Sequence, residues 1–194
     1  MVSITLYNGR GQLGSALHKE YQVKIADKNL KNIKIYELML PDNVKASVGN
    51  LSRNVNIYHT WNFLDKSKET QLNCYNSFVK FVKKNKEEEI VFISTYSEQT
   101  NPYTYYKQLA EAYLLSNVTK SKIVKLPVIV GYGICKELQT GNKSPYGLLE
   151  LISPEDAAKE TLNIAYAPHT ENRIFRVKGE SISAKLATQL LTFK

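Results

Sequence analysis

The sequence predicts an α/β fold in which a doubly wound parallel sheet carries helices on both faces. Short apolar, β-prone segments alternate with segments of helical periodicity along nearly the whole chain. Residues 89–93 (EIVFI) form a continuous apolar run, which is typical of a buried parallel strand. No internal repeat or low-complexity linker divides the 194 residues. We therefore predict one domain, residues 1–194, to which residues 134–194 contribute a small C-terminal lobe.

The first part of the chain contains four predicted strands and one short helix. Each strand is a short run rich in apolar and β-branched residues. The strands are residues 3–7 (SITLY), 21–26 (YQVKIA), 34–38 and 55–59 (VNIYH), and a glycine turn after the first strand leads into the helix, residues 12–19.

The second part of the chain alternates helices and strands more regularly. Residues 69–84 repeat apolar side chains with the period of a helix. Ser153 followed by Pro154 and two acidic residues is typical of a helix start, because the hydroxyl caps the helix and proline suits its first position. The other predicted elements are the helices 102–115, 154–165 and 183–191 and the strands 89–93, 122–130 and 174–177.

The composition is that of an ordinary soluble globular protein, with 43% hydrophobic and 23% charged residues. No apolar run approaches the ~18 residues of a membrane span, and the N-terminal segment lacks the basic region of a signal peptide. Cys74 and Cys135 are far apart, which suits free thiols in a reducing cytoplasm and excludes a cysteine-based zinc site. The histidines show no ligand spacing, so we expect no metal. Because no apolar run is long enough to span a membrane, we also expect no membrane contact.

The net charge of +8 and the pI near 9.3 admit two interpretations. The lysines are scattered and interleaved with acids, as in KKNKEEE at 83–89, which indicates a solvated surface. Alternatively, the positive charge steers an anionic substrate into a cleft. Only the net charge supports a third hypothesis, a basic nucleic-acid-binding module. Because the sequence contains no recognition motif, we expect no nucleic-acid partner.

The first motif is the G-x-G-x-x-G from Gly9 to Gly14, directly after the first strand. Glycines let the backbone approach a pyrophosphate, and the helix start offers free N–H groups. The motif therefore predicts a dinucleotide-binding turn. Asp27, at the end of the predicted second strand, is either a ligand for an adenosine ribose or a surface turn residue.

The second motif is Tyr103-x-x-x-Lys107, in the segment NPYTYYKQLAEAYL. Residues four apart share one face of a helix, so the phenol and the ammonium point the same way. A neighbouring cation stabilises phenolate and brings the pKa of a tyrosine toward neutrality, as general acid–base chemistry requires. The alternative is an aromatic stripe beside a solvated lysine.

The third motif is Ser94-Thr95, just past the strand 89–93. A hydroxyl there lies at the carboxyl edge of a parallel sheet, where open α/β folds bind ligands. Alternatively, the two residues belong to a loop that caps the next helix.

Together the three motifs resemble the extended short-chain dehydrogenase/reductase (NAD-dependent epimerase/dehydratase) family, in particular its dTDP-4-dehydrorhamnose reductase type. The resemblance extends nearly from end to end. Residues 11–14 are similar to the Gly-Gln-Leu-Gly that ends the family's fingerprint, and Thr95, Tyr103 and Lys107 match its hydroxyl and its Tyr-x-x-x-Lys pair. Further similar stretches are residues 56–61, Asn73, residues 126–133 and residues 153–158.

The resemblance implies an NAD(P)-binding, Rossmann-like domain with a reduced substrate lobe, acting on a sugar or nucleotide-sugar in polysaccharide biosynthesis. Tyr103 would be the general acid/base. Lys107 would lower the pKa of Tyr103 and hold the nicotinamide ribose, and Thr95 would bind the reacting oxygen. The implied cofactor-binding residues are Asn8, Gly9, Arg10, Gly11, Gln12, Leu13, Gly14, Asp27, His59, Lys107 and Pro127. Asp27 favours NAD, whereas Arg10 and Lys28 could hold the 2′-phosphate of NADP, so that choice stays open.

Departures from the family pattern support a second hypothesis, a catalytically inactive dinucleotide-binding protein with a regulatory or partner-binding role. Asn8 falls where the family has its first glycine, and Trp61 where it has a small alanine close to the cofactor. Seven residues separate Thr95 from Tyr103, fewer than usual, and the substrate-binding stretch 134–152 is short.

The helices 69–84 and 102–115 match the pair through which the family often dimerises as a four-helix bundle, so a homodimer is implied. The alternative is that their apolar stripes merely pack on their own sheet.

Overall fold

Strands alternate with helices along the residues that the computed structural model describes, which are 2–7, 12–26, 35–38, 53–95, 97, 99–131, 134–141, 147–169 and 173–192. The strands are β1 (Val2–Tyr7), β2 (Ile35–Leu38), β3 (Arg53–Tyr58), β4 (Glu89–Thr95), β5 (Ser121–Leu126), β6 (Val128–Ile129), β7 (Leu148–Ile152), β8 (Ile174–Arg176) and β9 (Glu180–Ser183). The helices are α1 (Gln12–Ala26), α2 (Lys68–Lys84), α3 (Pro102–Asn117), α4 (Ile134–Gln139), α5 (Pro154–Tyr166) and α6 (Ala184–Thr192).

Six of these strands form the main sheet, in the order β2-β1-β3-β4-β5-β8, and all neighbours are parallel. The chain moves outward from β1 to β2 and then returns to β3 on the other side of β1. The direction of winding therefore reverses between β1 and β3. In doubly wound sheets, ligands bind at the carboxyl ends of the strands beside such a reversal. The predicted doubly wound parallel sheet is confirmed.

The two faces of the main sheet are covered by different kinds of side chain. Because successive residues of a strand face opposite sides, Val91 and Ile93 of β4 join one core, and Phe92 joins the other. The first core is largely aliphatic and packs on α1 and α5. The second core, which we call the aromatic cluster, packs on α2 and α3. Its buried aromatic residues are Tyr58, Trp61, Phe78, Phe81, Phe92 and Tyr106.

A smaller sheet has the order β6-β7-β9, with a parallel and an antiparallel pair. Helix α6 contacts α4 and two of these strands. Between β7 and β9 the chain returns to the main sheet, where α5 packs on α1 and β8 pairs with β5. The assignment of residues 134–194 as contributors to a substrate lobe of a single domain stays a prediction.

The predicted second strand, residues 21–26, is wrong, because these residues belong to α1. The strand beside β1 is β2, whose register places Ile35 opposite Ile4. A parallel crossover needs a dozen residues or more, usually with a helix. In the structure the crossover from β1 to β2 contains the 15-residue helix α1, and residues 21–26 are its last part. The β-branched and apolar residues of 21–26 therefore extend the helix, and tertiary context overrides their strand propensity.

The predicted strand 122–130 is interrupted at Pro127, which separates β5 from β6. Proline has no N–H to donate to a sheet and so ends the pairing of β5. The pattern analysis also missed α4, β7 and β9. In contrast, the predicted helix start at Ser153 is confirmed, because its hydroxyl accepts a hydrogen bond from Asp156 N at 3.0 Å.

The described residues include neither a candidate membrane span nor a candidate metal-binding cluster. None of their helices combines the length and the apolar character needed to cross a membrane. Nor do these residues contain a group of three or more His, Cys, Asp or Glu side chains placed to hold a metal ion.

Candidate active site at the carboxyl edge of the main sheet

The candidate site lies where the parallel strands of the main sheet end, beside the reversal between β1 and β3. Thr95 is the last residue of β4, His59 follows β3 and Pro127 follows β5. Gln12 begins α1, which follows the end of β1. The fold therefore brings residues from four separate parts of the sequence to one edge of the sheet.

Of the glycine-rich fingerprint, the structure describes Gln12, Leu13 and Gly14 at the start of α1. Leu13 packs against the aliphatic core, and Gly14 is buried. Residues 8–11 and Asp27 lie outside the described residues. The interpretation of Asp27 rested on a strand over residues 21–26, and that segment is helical.

Gln12 joins the start of α1 to the turn after β6. Its Nε2 donates a hydrogen bond to the carbonyl oxygen of Val130 at 2.6 Å. The next residue, Gly131, has a φ of 109°, a conformation that favours glycine. A Cβ at Gly131 would lie 2.6 Å from Gln12 Nε2, so only glycine leaves room for this contact.

Helix α3 begins one residue before Tyr103. Asn101 caps it by accepting a hydrogen bond from Thr104 N at 3.0 Å. Pro102 occupies the first helical position, where the N–H that proline lacks is not needed. These two residues place Tyr103 in the first turn of the helix, next to the loop that follows β4.

The crowded tyrosines of this segment have different environments. Tyr105 is 60% exposed, whereas Tyr106 is buried in the aromatic cluster. Tyr103 is partly buried and shares its helix face with Lys107. Within this group, Tyr103 therefore has the placement that the Tyr-x-x-x-Lys pattern predicts.

Lys107 is buried below this edge, with 4% of its surface exposed. Its Nζ donates a hydrogen bond to the carbonyl oxygen of Ile93 at 2.7 Å. The same nitrogen lies 4.8 Å from the ring centroid of Trp61, 4.7 Å from that of Phe92 and 5.9 Å from that of Tyr103. An ammonium at these distances is attracted by the faces of the rings.

The pKa values of the pair differ from the expectation. Burial lowers the pKa of Lys107 to about 7, and the nearby charges of Glu111 and Cys74 only partly oppose this. Burial also raises the pKa of Tyr103 to about 12. The expectation that Lys107 lowers the pKa of Tyr103 is therefore wrong for this arrangement. Desolvation disfavours the charged form of both groups.

Ser94 and Thr95 are the last two residues of β4 rather than residues beyond it. Ser94 is buried, and its hydroxyl donates a hydrogen bond to Glu111 Oε1 at 2.5 Å. The hydroxyl oxygen of Thr95 accepts a hydrogen bond from Ser97 N at 3.1 Å. The two neighbouring hydroxyls thus have different partners, as the alternation of side chains along a strand requires.

Glu111 belongs to this group of side chains and was missed in the sequence. It lies four residues after Lys107 on α3 and is 7% exposed. Its Oε2 forms an ion pair with Lys125 Nζ at 2.8 Å. The signal that could have found Glu111 is its spacing, because residues 103, 107 and 111 recur every four positions along one helix face.

Trp61, which stands where the family has alanine, is turned into the aromatic cluster. It is 8% exposed, and its Nε1 donates a hydrogen bond to Gln71 Oε1 at 2.7 Å. Its ring lies 5.8 Å from that of Phe92 and 6.4 Å from that of Phe78. The indole is therefore part of the core beneath the edge, beside Lys107.

Comparisons with known proteins find similarity in structure alone. No protein-family model matches the sequence, and no curated protein matches it. Among solved structures, a nucleoside-diphosphate-sugar epimerase from Staphylococcus aureus is 16% identical, with a TM-score of 0.68 over 98% of this chain and 76% of that one.

Two further solved structures are similar to the same extent. The enzyme WbmG from Bordetella bronchiseptica, in complex with NAD, is 13% identical, with a TM-score of 0.67 over 97% of this chain and 76% of that one. A dTDP-4-dehydrorhamnose reductase from Bacillus anthracis, in complex with NADP, is also 13% identical. Its TM-score is 0.68 over 98% of this chain and 80% of that one. This chain therefore has the Rossmann-like fold of nucleotide-sugar epimerases and reductases.

Proposed function

We propose that the protein is an NAD(P)-dependent oxidoreductase or epimerase that acts at a carbonyl or hydroxyl group of a sugar. The observation that carries the proposal is the arrangement at the carboxyl edge of a doubly wound sheet. There, Tyr103 and Lys107 share one face of α3. Lys107 is hydrogen-bonded to Ile93 of β4, and Thr95 is the last residue of that strand.

The residues at this edge fit a nicotinamide dinucleotide. The helix α1 starts directly after β1, where a helix N-terminus attracts a diphosphate. Trp61 is buried in the aromatic cluster, where its Nε1 donates a hydrogen bond to Gln71 Oε1. An ammonium has three donors, and the hydrogen bond of Lys107 to Ile93 leaves others for ribose hydroxyls. Bound NAD(P) would exchange a hydride with the substrate carbon.

We assign the rest of the cofactor site from the resemblance. Gln12, Leu13 and Gly14, with residues 8–11, would hold the diphosphate, and His59 and Pro127 would line the dinucleotide. Asp27 stays a candidate for the adenosine ribose. Whether NAD or NADP binds is left to experiment.

Tyr103 is proposed as the proton donor. A phenol is protonated at neutral pH, which is the form that a proton donor needs, and burial raises the pKa of Tyr103 further. The protonated phenol can give its proton to the oxygen of a carbonyl that is being reduced.

Thr95 is proposed to bind the reacting oxygen. Because its oxygen accepts a hydrogen bond from Ser97 N, its own hydrogen is directed elsewhere. That hydrogen can be donated to a carbonyl oxygen held between Thr95 and Tyr103, and the second donor stabilises the negative charge that develops there.

A nucleotide-linked sugar is the proposed substrate class. The similar structures include enzymes named for such substrates and a WbmG complex that holds both NAD and UDP. The formal charge of +8 suits a diphosphate-linked substrate. Such a reaction would serve polysaccharide biosynthesis, and the free thiols Cys74 and Cys135 are compatible with a cytoplasmic location, which stays a prediction.

Calorimetry with NADH and with NADPH is the first test. We expect one of them to bind, and then to be oxidised when a dTDP-, UDP- or GDP-linked 4-keto sugar is added. Epimerase activity is followed in parallel by chromatography of UDP-sugars after incubation with NAD. Failure of both cofactors to bind at millimolar concentration would contradict the proposal.

Binding without turnover of any sugar in the panel would favour the second hypothesis, a catalytically inactive dinucleotide-binding protein. The two outcomes are separable because binding is measured without a substrate.

We further propose a homodimer formed through the outer faces of α2 and α3. Leu72 is 39% exposed and Tyr105 is 60% exposed on these two packed helices, which leaves apolar surface for a second copy. Light scattering should give twice the mass of one chain, and Leu72→Glu should reduce it to one. A monomeric mass of the unaltered chain at high concentration would contradict the dimer.

A further inference from the structure

Glu111 connects the ends of two neighbouring strands. Ser94 of β4 and Lys125 of β5 are directly paired in the sheet register. One carboxylate oxygen of Glu111 accepts a hydrogen bond from the Ser94 hydroxyl, with the two oxygens 2.5 Å apart. The other carboxylate oxygen forms an ion pair with Lys125 Nζ at 2.8 Å. Because Glu111 is 7% exposed, both contacts are largely shielded from water.

One turn earlier on α3, Lys107 forms its hydrogen bond to the carbonyl oxygen of Ile93, the residue before Ser94. The helix is therefore attached to β4 at two successive turns, immediately before Thr95. Tyr103 lies one further turn along the same face. Its position relative to Thr95 depends on these two attachments.

We propose that Glu111 is a positioning residue for the proposed reaction, which holds the Tyr103–Lys107 face of α3 against the end of β4 and supplies the negative charge beside Lys107. This inference rests on the proposed function, since it concerns the same site. Glu111 acts through Lys107 and Ser94 and does not itself contact the reacting atoms.

The charges around Lys107 support this role. Burial lowers the pKa of Lys107, and Glu111 on its own helix and Cys74 on α2 are the groups that oppose this. Tyr103 is a neutral phenol at pH 7, because burial raises its pKa. Lys125 faces Glu111 from β5 and adds a second positive charge. Without Glu111, Lys125 would lose its ion-pair partner, and Lys107 would lose the carboxylate whose charge opposes the lowering of its pKa.

The test uses Glu111→Gln, which keeps the shape and an acceptor for Ser94 but removes the charge. The protein is labelled with ¹³C-lysine, and the Cε signal of Lys107, assigned with Lys107→Met, is titrated by NMR. We expect the midpoint of Lys107 to fall by on the order of one pH unit in Glu111→Gln. Glu111→Asp, which restores the charge, should recover most of that shift.

The matched control is Glu89→Gln, which removes an equally buried carboxylate at the other end of the sheet. It should lower stability and leave the titration of Lys107 unchanged. In the reductase assay, the alkaline limb of the kcat/KM profile should move to lower pH in Glu111→Gln only, because Lys107 loses its proton earlier. If Glu111→Gln does not fold, Glu111→Asp should still lower kcat, because a shorter side chain weakens its bond to Ser94.

An unchanged midpoint of Lys107 in Glu111→Gln, together with an unchanged pH profile, would overturn the inference. The titration needs neither cofactor nor substrate. If neither nicotinamide cofactor binds, the proposed function fails, while the titration still decides whether Glu111 controls the charge of Lys107.

Discussion

Both ends of the main sheet bury charged side chains, but the amino edge joins its charges in one ion-paired network, whereas the carboxyl edge buries Lys107 without an ion pair among the described residues. At the amino edge, Arg53 binds Glu89 through two hydrogen bonds of 2.7 and 2.8 Å, and Lys122 binds it at 3.0 Å. The remaining donors of Arg53 and Lys122 cap the end of α5. The carbonyl oxygens that accept them belong to Ile164, Ala165, Tyr166 and Ala167.

The pKa of Glu89 reflects this pairing. Burial alone would raise it, but the hydrogen bonds from Arg53 and Lys122 outweigh burial, and the net shift is downward. Burial lowers the pKa of Lys122, and its contacts with Glu89 oppose the shift. The amino edge is thus an ion-paired network whose groups also complete a helix end.

Lys107 at the carboxyl edge has a different environment. Within the described part of the chain, its Nζ has a carbonyl oxygen and three aromatic rings as neighbours and no ion pair, while the nearby Glu111 is paired with Lys125. Buried and incompletely paired ionisable groups are common at functional sites, where they are retained despite their cost in stability. The difference agrees with the proposed function, in which the amino edge stabilises the fold and the carboxyl edge is the binding site.

The largest expected effect is the loss of stability on breaking the amino-edge network. Glu89→Gln leaves two cations without a carboxylate, and removing one partner of a buried pair costs about 3–5 kcal/mol. Urea unfolding followed by circular dichroism should show this decrease in the free energy of unfolding.

The control for Glu89→Gln is Lys86→Met, which breaks the exposed pair of Lys86 and Glu87, 3.7 Å apart. Exposed pairs contribute little, so this change should be within about 0.5 kcal/mol of zero. Equal losses for the two variants would mean that the amino-edge network has no special role.

The second expected effect is on turnover. Tyr103→Phe removes the proposed proton donor, so kcat should fall on the order of a hundredfold or more, while calorimetry should give an unaltered affinity for NAD(P). Tyr105→Phe is the matched control, because Tyr105 is exposed on the same helix. This variant should turn over the substrate at the rate of the unaltered protein. Full activity of Tyr103→Phe on a confirmed substrate would rule out the assigned mechanism.

The third expected effect has opposite signs at the two edges. Lys122→Met loses an ion pair and two helix-capping bonds, so stability should fall by about 2 kcal/mol. Lys107→Met replaces a buried amine that lacks an ion pair with an apolar side chain of similar length. Stability should therefore rise by about 1 kcal/mol, while affinity for NAD(P) falls. A loss of stability in both variants would remove the distinction between the edges.

Much of the fold could be predicted because its signals are local. The helix start at Ser153 and the run at 89–93 needed only neighbouring residues to identify them. Residues 21–26 could not be assigned from propensity, because a short apolar run suits a strand and a helix alike, and the choice depends on which segment pairs with β1. That choice depends on residues far along the chain.

For the candidate site, the sequence predicted which helix face carries Tyr103 and Lys107 but not the energetics of their burial. The four-residue spacing placed Tyr103 and Lys107 on one helix face. Their pKa shifts depend on burial, which no spacing reveals, because Trp61 and Phe92 approach Lys107 from other elements. The same spacing also places Glu111 on this face, but its contacts could not be predicted, because its partners come from β4 and β5.

The last expected effect concerns the pH dependence of stability. The pKa of Lys107 is about 7 in the folded protein and 10.5 ordinarily, so between these values the unfolded chain binds more protons at this side chain. Stability should therefore rise with pH across this window, and the cost of burying the charge is fully present below pH 7. Lys122 contributes in the same direction, because its pKa is lowered too.

The difference in unfolding free energy between the unaltered chain and Lys107→Met isolates the contribution of Lys107. This difference should rise from about pH 7 to about pH 9.5 with a slope of at most ~1.4 kcal/mol per pH unit, the value for one proton. Above about pH 10 the sign reverses for the buried tyrosines, because burial raises the pKa of Tyr103 and of Tyr166 to about 12. Their ionisation favours the unfolded state, so the contribution of Lys107 is best measured below about pH 10. A difference that stays flat with pH would show that Lys107 keeps its ordinary pKa in the fold, and the contrast between the two edges would then lie in geometry alone.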